Sequence, residues 1–191
     1  FVICDPEMLR TLSDREFRAG LAEVVKAAVI ADAGLFARIE ATTFDALRSD
    51  TDLLTDAVSA SIRVKADIVE RDERESGDRR KLNLGHTLAH AIEKCTNRLN
   101  HGEAVAVGTA LIADASVKLG VLAAEDRDRI AGVLKKLGFD LTPPVDVKRL
   151  LKEVDKDKKN EDGMLRIVVP VGIGDCEVRR MSHDEFAALF A

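Results

Sequence analysis

The sequence predicts a mainly α-helical fold with one small β-hairpin near the carboxyl terminus. Apolar residues recur with a helical period along several segments, such as Leu21, Val25 and Val29. Ser13 and Ser182 each stand three residues before a glutamate, which is the spacing of an N-terminal capping box. In MLRIVVPVGIGDCEVRRM, two β-prone runs flank a glycine-rich turn, which indicates the hairpin.

The elements follow from these patterns in chain order. FVICD resembles a buried strand and PEML a helical turn, whereas the glycine and clustered charge of RESGDRRKLN indicate a loop. GIG at 172–174 falls in the hairpin turn and is not a phosphate-binding loop. Helices are predicted from near Asp14 through FRAGLAEVVKAAVIADAG, over 51–73, 84–97, 102–119, 125–137 and about 145–154, and in the final SHDEFAALF.

Composition excludes several classes of protein. The chain has 191 residues, 46% of them hydrophobic and 33% charged, with a net charge of -5 and neither Trp nor Tyr. Nucleic acid is therefore not an expected partner, and no apolar run is long enough to predict a membrane span. Cys4, Cys95 and Cys176 form no CxxC pair, so we expect neither disulfides nor a thiolate zinc site, and a reducing cytoplasm fits best.

Histidines concentrate in LNLGHTLAHAIEK and the segment after it. His86 and His90 lie four residues apart and therefore on one helix face, and His101 opens the next helix. They could hold a metal, act as acid and base, or simply fill the helix face. Asn83 is a good N-cap residue for the helix that carries the first two, and capping alone would explain it.

A metal site would need a third ligand, for which Glu23 is the candidate. It lies in the apolar helical segment GLAEVVKAA, where burying a free carboxylate would be costly. Two histidines and one carboxylate are a common catalytic zinc set that leaves a position open for substrate. An ion pair with Lys26, one turn on, is the simpler explanation of Glu23 taken alone.

Four sequence blocks resemble the 3-dehydroquinate synthase family of NAD-dependent sugar phosphate cyclases. GLAEVVK, RRKLNLGHTLAHAIEK, NHGEAVAVG and DKDKKNEDGMLRIVVPVGIG occur in the family's order and with similar spacing, over most of the chain. The resemblance implies that residues 1–191 form the multihelical metal- and substrate-binding domain of the dehydroquinate synthase-like fold. No G-x-G-x-x-G or βαβ alternation is present, so we expect an upstream NAD-binding half to be missing and the isolated chain to be inactive.

The resemblance also implies roles for individual residues. Glu23, His86 and His101 match the ligands of a catalytic Zn2+ or Co2+, and His90 matches a histidine that handles protons near the reacting hydroxyl. Lys26 matches a catalytic lysine that reaches the substrate beside the metal. The remaining matches bind substrate: Lys65, Arg79 and Asn83 the carboxylate, and Lys158, with Lys159 as the alternative, the phosphate. Without the aligned blocks, Lys65 and Lys158 would be interpreted as solvated surface charges.

The implied reaction converts 3-deoxy-D-arabino-heptulosonate 7-phosphate into 3-dehydroquinate and phosphate, in the shikimate pathway to chorismate and the aromatic amino acids. NAD is reduced and reoxidised within each turnover, and family members are expected to be homodimers. Ala27, Ala28 and Thr109 depart from common family residues and leave room for a cyclase that makes deoxy-scyllo-inosose or a valiolone. Arg79 together with Asn83 favours a substrate that carries a carboxylate.

Two further hypotheses remain. Iron-type alcohol dehydrogenases share the two-domain plan but lack the LNLGHT and HGEAVA pairing. A noncatalytic helical module would need no metal and would tolerate the loss of Glu23, His86 and His101.

Overall fold

The computed structural model describes residues 1, 3–74, 77–156 and 163–191. Within these ranges the chain is mainly helical with one hairpin, which confirms the predicted fold class. The α-helices are Asp14–Ala31 (α1), Ala33–Glu40 (α2), Phe44–Ser49 (α3), Thr51–Arg71 (α4), His86–Cys95 (α5), His101–Lys118 (α6), Ala124–Lys136 (α7), Val147–Lys156 (α8) and His183–Ala188 (α9). The strands are Met164–Gly172 (β1) and Asp175–Ser182 (β2), and two 3-10 helices span Pro6–Thr11 and Asp78–Asn83.

Helix α1 lies at the centre of the fold. It begins where predicted, because the Ser13 hydroxyl accepts a hydrogen bond of 3.2 Å from the backbone N–H of Glu16. Its second half is almost completely buried, and it packs against α2, α4, α6, α7 and both strands. Most residues in the second half of α1 are therefore shielded from solvent.

The hairpin is anchored to the end of α1. Its strands pair antiparallel, with Leu165 opposite Met181 and Val169 opposite Glu177. The N–H of Gly174, in the predicted turn, donates to the carbonyl of Val29 at 3.0 Å. Gly174 has φ 90°, and a Cβ there would lie 2.7 Å from the backbone nitrogen of Ala33, so this turn requires glycine.

Several local predictions were wrong. Residues of FVICD form no strand in the described part of the chain, and Ile3 is 81% exposed, because no neighbouring strand is present there to pair with it. The predicted loop RESGDRRKLN includes the 3-10 helix Asp78–Asn83. Helices α2 and α3 were not predicted; α1 ends at Ala31, and the Asp32 side chain caps the start of α2 by accepting from the N–H of Leu35 at 2.7 Å.

All three cysteines are free. None of the helices in the described ranges is long and apolar enough to cross a membrane.

Candidate metal centre

Helix α6 approaches both α1 and the start of α5 so closely that backbone touches backbone. A Cβ on Gly102 would lie 2.2 Å from the carbonyl oxygen of Ala19, and one on Gly108 would lie 2.2 Å from the carbonyl oxygen of Gly85. Only glycine fits at either position without movement of a helix. These contacts hold α1 and the start of α5 against α6, so that the three helices form a junction.

The start of α5 is set by Gly85 and not, as predicted, by Asn83. Gly85 is the N-cap in the left-handed conformation, with φ 77°, and Asn83 is the last residue of the preceding 3-10 helix. A Cβ on Gly85 would lie 2.6 Å from Oγ1 of Thr109 on α6, so both the backbone conformation and the space demand glycine. The prediction failed because α5 begins directly after a sharp bend against α6. His86 is consequently the first residue of α5.

Side chains of Glu23, His86 and His101 converge at this junction. One ligand atom from each lies within 4.8 Å of the others. Oε1 of Glu23 is 3.9 Å from Nε2 of His86 and 3.5 Å from Nε2 of His101. That oxygen is sealed from solvent and has no hydrogen-bond partner in the described structure. An orphaned carboxylate oxygen between two imidazole nitrogens has the chemistry of a divalent metal site.

Lys26 pairs with the other oxygen of the same carboxylate. Its Nζ lies 2.6 Å from Oε2 of Glu23, and the lysine itself is buried. The ion pair that the sequence suggested as an alternative to ligation therefore exists, but it leaves Oε1 directed at the histidines. Burial raises the pKa of Glu23, but the charge and hydrogen bond of Lys26, together with His86 and His101, hold that pKa below its ordinary value.

The two histidines present Nε2 to the junction for different reasons. Nδ1 of His86 lies 3.1 Å from the carbonyl oxygen of Leu84, which can only accept, so Nδ1 carries the proton and Nε2 the lone pair. Burial, followed by the charge of Lys26, lowers the pKa of His86 and favours its neutral form. Nδ1 of His101 lies 2.9 Å from Oε1 of Glu93. Neutral imidazole and ionised carboxylate are the forms that bind metal.

The start of α6, which carries His101, is fixed by a capping box that the sequence prediction missed. The side chain of Asn100 accepts from the N–H of Glu103, and that of Glu103 accepts from the N–H of Asn100, both at 2.9 Å. Arg15 of α1 binds both carboxylate oxygens of Glu103 at 2.8 and 2.6 Å. The N-x-x-E spacing was a readable signal for this cap. Glu93 was also missed, although it lies seven residues after His86 and hence on the same helix face.

Substituting Asn100 by alanine should destabilise the chain by about 1 kcal/mol, the usual cost of losing an N-cap side chain. Asn97, an exposed residue just before α6, supplies the matched control, since its alanine variant removes no cap. Urea denaturation would measure the free energy of unfolding of both variants. Equal free energies of unfolding for the two variants would contradict a capping role for Asn100.

The structure places the other predicted site residues in different surroundings. The ring of His90, on the exposed side of α5, lies 5.5 Å from that of His86. Arg79 belongs to the 3-10 helix that leads into α5, and its guanidinium donates to the carbonyl of Glu73 at 2.7 Å. Lys65 is exposed on α4. Lys158 and Lys159 lie outside the described residues.

Comparison with known proteins identifies the family. Residues 20–160 match the family model described as 3-dehydroquinate synthase C-terminal. The chain belongs to this family. Curated relatives named 3-dehydroquinate synthase include those of Nitrosospira multiformis, 43% identical over 93% of this chain and 49% of the relative, and Pelobacter propionicus, 41% identical over 98% and 53%. The chain thus spans about half the length of the curated relatives it matches.

Solved structures of the wider group have the same fold. A 2-epi-5-epi-valiolone synthase from Streptomyces hygroscopicus, solved with NAD+ and Zn2+, superposes with a TM-score of 0.86 at 26% identity, over 97% of this chain and 53% of that one. A 2-deoxy-scyllo-inosose synthase, solved with carbaglucose-6-phosphate, NAD+ and Co2+, gives 0.79 at 21% identity over the same shares. The second likeness concerns the fold alone. The family resemblance and the dehydroquinate synthase-like fold predicted from four sequence blocks are both confirmed.

Proposed function

We propose that this chain is the metal- and substrate-binding part of a 3-dehydroquinate synthase. The complete protein would convert 3-deoxy-D-arabino-heptulosonate 7-phosphate into 3-dehydroquinate and phosphate, with NAD as a transient oxidant. The observation that carries the proposal is the convergence of Glu23, His86 and His101 on one solvent-sealed carboxylate oxygen in a chain of this family. A noncatalytic helical module would need no metal.

Oε1 of Glu23 and Nε2 of both histidines would hold the ion, Zn2+ or Co2+. The bound ion would supply Lewis acidity that lowers the pKa of substrate hydroxyl groups. Lys26 keeps the Glu23 carboxylate ionised and places a second positive charge at the same point. The Leu84 carbonyl lies against Nδ1 of His86 and leaves Nε2 of that ring directed at the junction.

His90 and the residues of the 3-10 helix provide the groups that meet substrate. The exposed imidazole of His90, beside His86, can accept or return a proton at a substrate oxygen. Arg79 uses one N–H on Glu73, and a guanidinium has five donors, so others remain for a substrate carboxylate. Asn83 and Lys65 complete the proposed carboxylate site, and Lys158 is assigned to the phosphate.

This chain covers only about half of each curated relative, which supports a longer functional protein. The matched stretch is 49% of the Nitrosospira relative, which leaves room for an NAD-binding half. A homodimer is part of the proposal through the family resemblance. Identity favours dehydroquinate synthase over other cyclases, because relatives with that name reach 43% whereas the valiolone synthase structure is 26% identical.

Binding of a carboxylated substrate analogue to the zinc-loaded chain tests the substrate assignment. Arg79→Ala should weaken binding by about 10- to 100-fold, since a charge-assisted hydrogen bond contributes about 1.5–3 kcal/mol, and should leave the zinc content unchanged. Arg38→Ala, which replaces an exposed arginine on α2, is the matched control and should bind like the parent. Isothermal calorimetry with an otherwise identical analogue that lacks the carboxylate completes the comparison.

Two results would contradict the assignment. Tighter binding of the analogue without a carboxylate would favour a cyclase of the valiolone or deoxy-scyllo-inosose type. Equal binding of the carboxylated analogue by the parent and by Arg79→Ala would remove Arg79 from the site.

A further inference from the structure

We propose that Glu93 is a positioning residue that holds His101 in the tautomer and orientation needed to bind metal. The inference rests on the proposed function, because it assigns the metal to Glu23, His86 and His101. Glu93 itself is not among the three residues whose ligand atoms converge. Its carboxylate instead contacts the opposite nitrogen of the His101 ring, at 2.9 Å.

The chemistry of this contact fixes the proton on His101. An ionised carboxylate only accepts hydrogen bonds, so Nδ1 must donate and therefore carries the ring proton. Nε2 is left with its lone pair, 3.5 Å from Oε1 of Glu23. Such a carboxylate also fixes the orientation of the imidazole ring.

His101 needs this support more than His86 does. The His86 side chain is only 14% exposed, and a backbone carbonyl two residues away holds its Nδ1. The His101 side chain is 51% exposed and lies at the first residue of α6, where packing restrains it weakly. Without Glu93, the ring could rotate or exchange tautomers and present a protonated nitrogen to the junction.

Helix geometry explains how Glu93 reaches the start of another helix. It stands seven residues after His86, so both side chains project from the same face of α5. The contact of Gly108 with Gly85 sets the spacing between α5 and α6, and the capping box at Asn100 sets where α6 begins. The Glu93 carboxylate thereby lies behind His101, on the side away from Glu23.

Zinc affinity of the full chain, measured by competition with a chromophoric chelator, tests the role. Glu93→Ala should weaken zinc binding by about 10- to 100-fold, as is typical when the hydrogen-bond partner of a metal-binding histidine is removed. Glu93→Gln should lose less zinc affinity, because the glutamine amide oxygen can still accept a hydrogen bond from Nδ1 of His101. Glu70→Ala, which replaces an exposed glutamate on α4, is the control and should bind zinc like the parent.

Nitrogen-15 NMR of the metal-free chain, at a pH where imidazole is neutral, supplies a readout independent of metal and activity. The Nδ1–H tautomer of His101 should predominate in the parent and in Glu93→Gln, and should give way to the Nε2–H tautomer in Glu93→Ala. Unchanged zinc affinity or an unchanged tautomer in Glu93→Ala would overturn the inference while the proposed function stands. Failure of the parent to bind zinc would overturn both.

Discussion

Alanine at Gly102 or Gly108 is expected to destabilise the chain by about 3 kcal/mol or more, at the upper end of what overpacking usually costs. In each case the new methyl carbon would lie 2.2 Å from a backbone carbonyl oxygen, of Ala19 or of Gly85. Backbone cannot rotate away as a flexible side chain can, so a whole helix must shift. Urea denaturation of the metal-free variants would measure the loss.

Two other helical glycines serve as matched controls. At Gly20 on α1 and Gly132 on α7, no neighbouring atom lies within 4 Å of the position that a Cβ would occupy, so alanine should fit. Because glycine in a helix interior is less stable than alanine by about 0.5–1 kcal/mol, both control variants should be slightly more stable than the parent. If Gly20→Ala and Gly102→Ala changed the free energy of unfolding by a similar amount, contact between helices would not be the cause of the destabilisation.

Loss of any one of Glu23, His86 and His101 is expected to abolish stabilisation by zinc. Zinc at about 100 times its dissociation constant should add about 2.7 kcal/mol to the folding free energy of the parent. For a chain of this size that corresponds to a rise in Tm of about 5–10 °C. Glu23→Gln, His86→Ala and His101→Ala should each show little or no rise under the same conditions.

Comparing each variant with and without zinc separates metal binding from folding. A variant that is less stable without metal still reports its own zinc-dependent shift by differential scanning calorimetry. Glu70→Gln removes an exposed carboxylate from α4 and should keep the full shift. If zinc raised the Tm of His101→Ala as much as that of the parent, the assignment of His101 as a ligand would be contradicted.

Local sequence signals predicted most of the fold because the information they carry is local. The serine cap at Ser13 and the β-prone runs of the hairpin depend on residues close in the chain, and both form as predicted. The strand at FVICD and the cap at Asn83 failed because they depend on distant neighbours. A strand needs a partner, and the bend at Gly85 is imposed by α6 packing against it.

In the candidate site too, local spacing predicted some features, whereas others depend on how distant segments pack together. Helical spacing placed His86 and His90 on one face, but only the fold directs His86 towards Glu23 and leaves His90 exposed. The apolar helix segment around Glu23 made it a candidate partner of histidines more than sixty positions away, but only the family resemblance favoured that role over an ion pair with Lys26. Glu93 was missed because its role depends on the distance between α5 and α6, which no spacing within one helix reveals.

The central claim is that Glu23, His86 and His101 form a divalent metal site, and metal content tests it most directly. The chain, purified without chelator and incubated with zinc, would be compared by elemental analysis with the triple variant Glu23→Ala, His86→Ala, His101→Ala. We expect about one zinc or cobalt ion per chain in the parent, as for a single three-ligand site, and none in the triple variant. No metal in the parent, or equal metal in both, would contradict the claim.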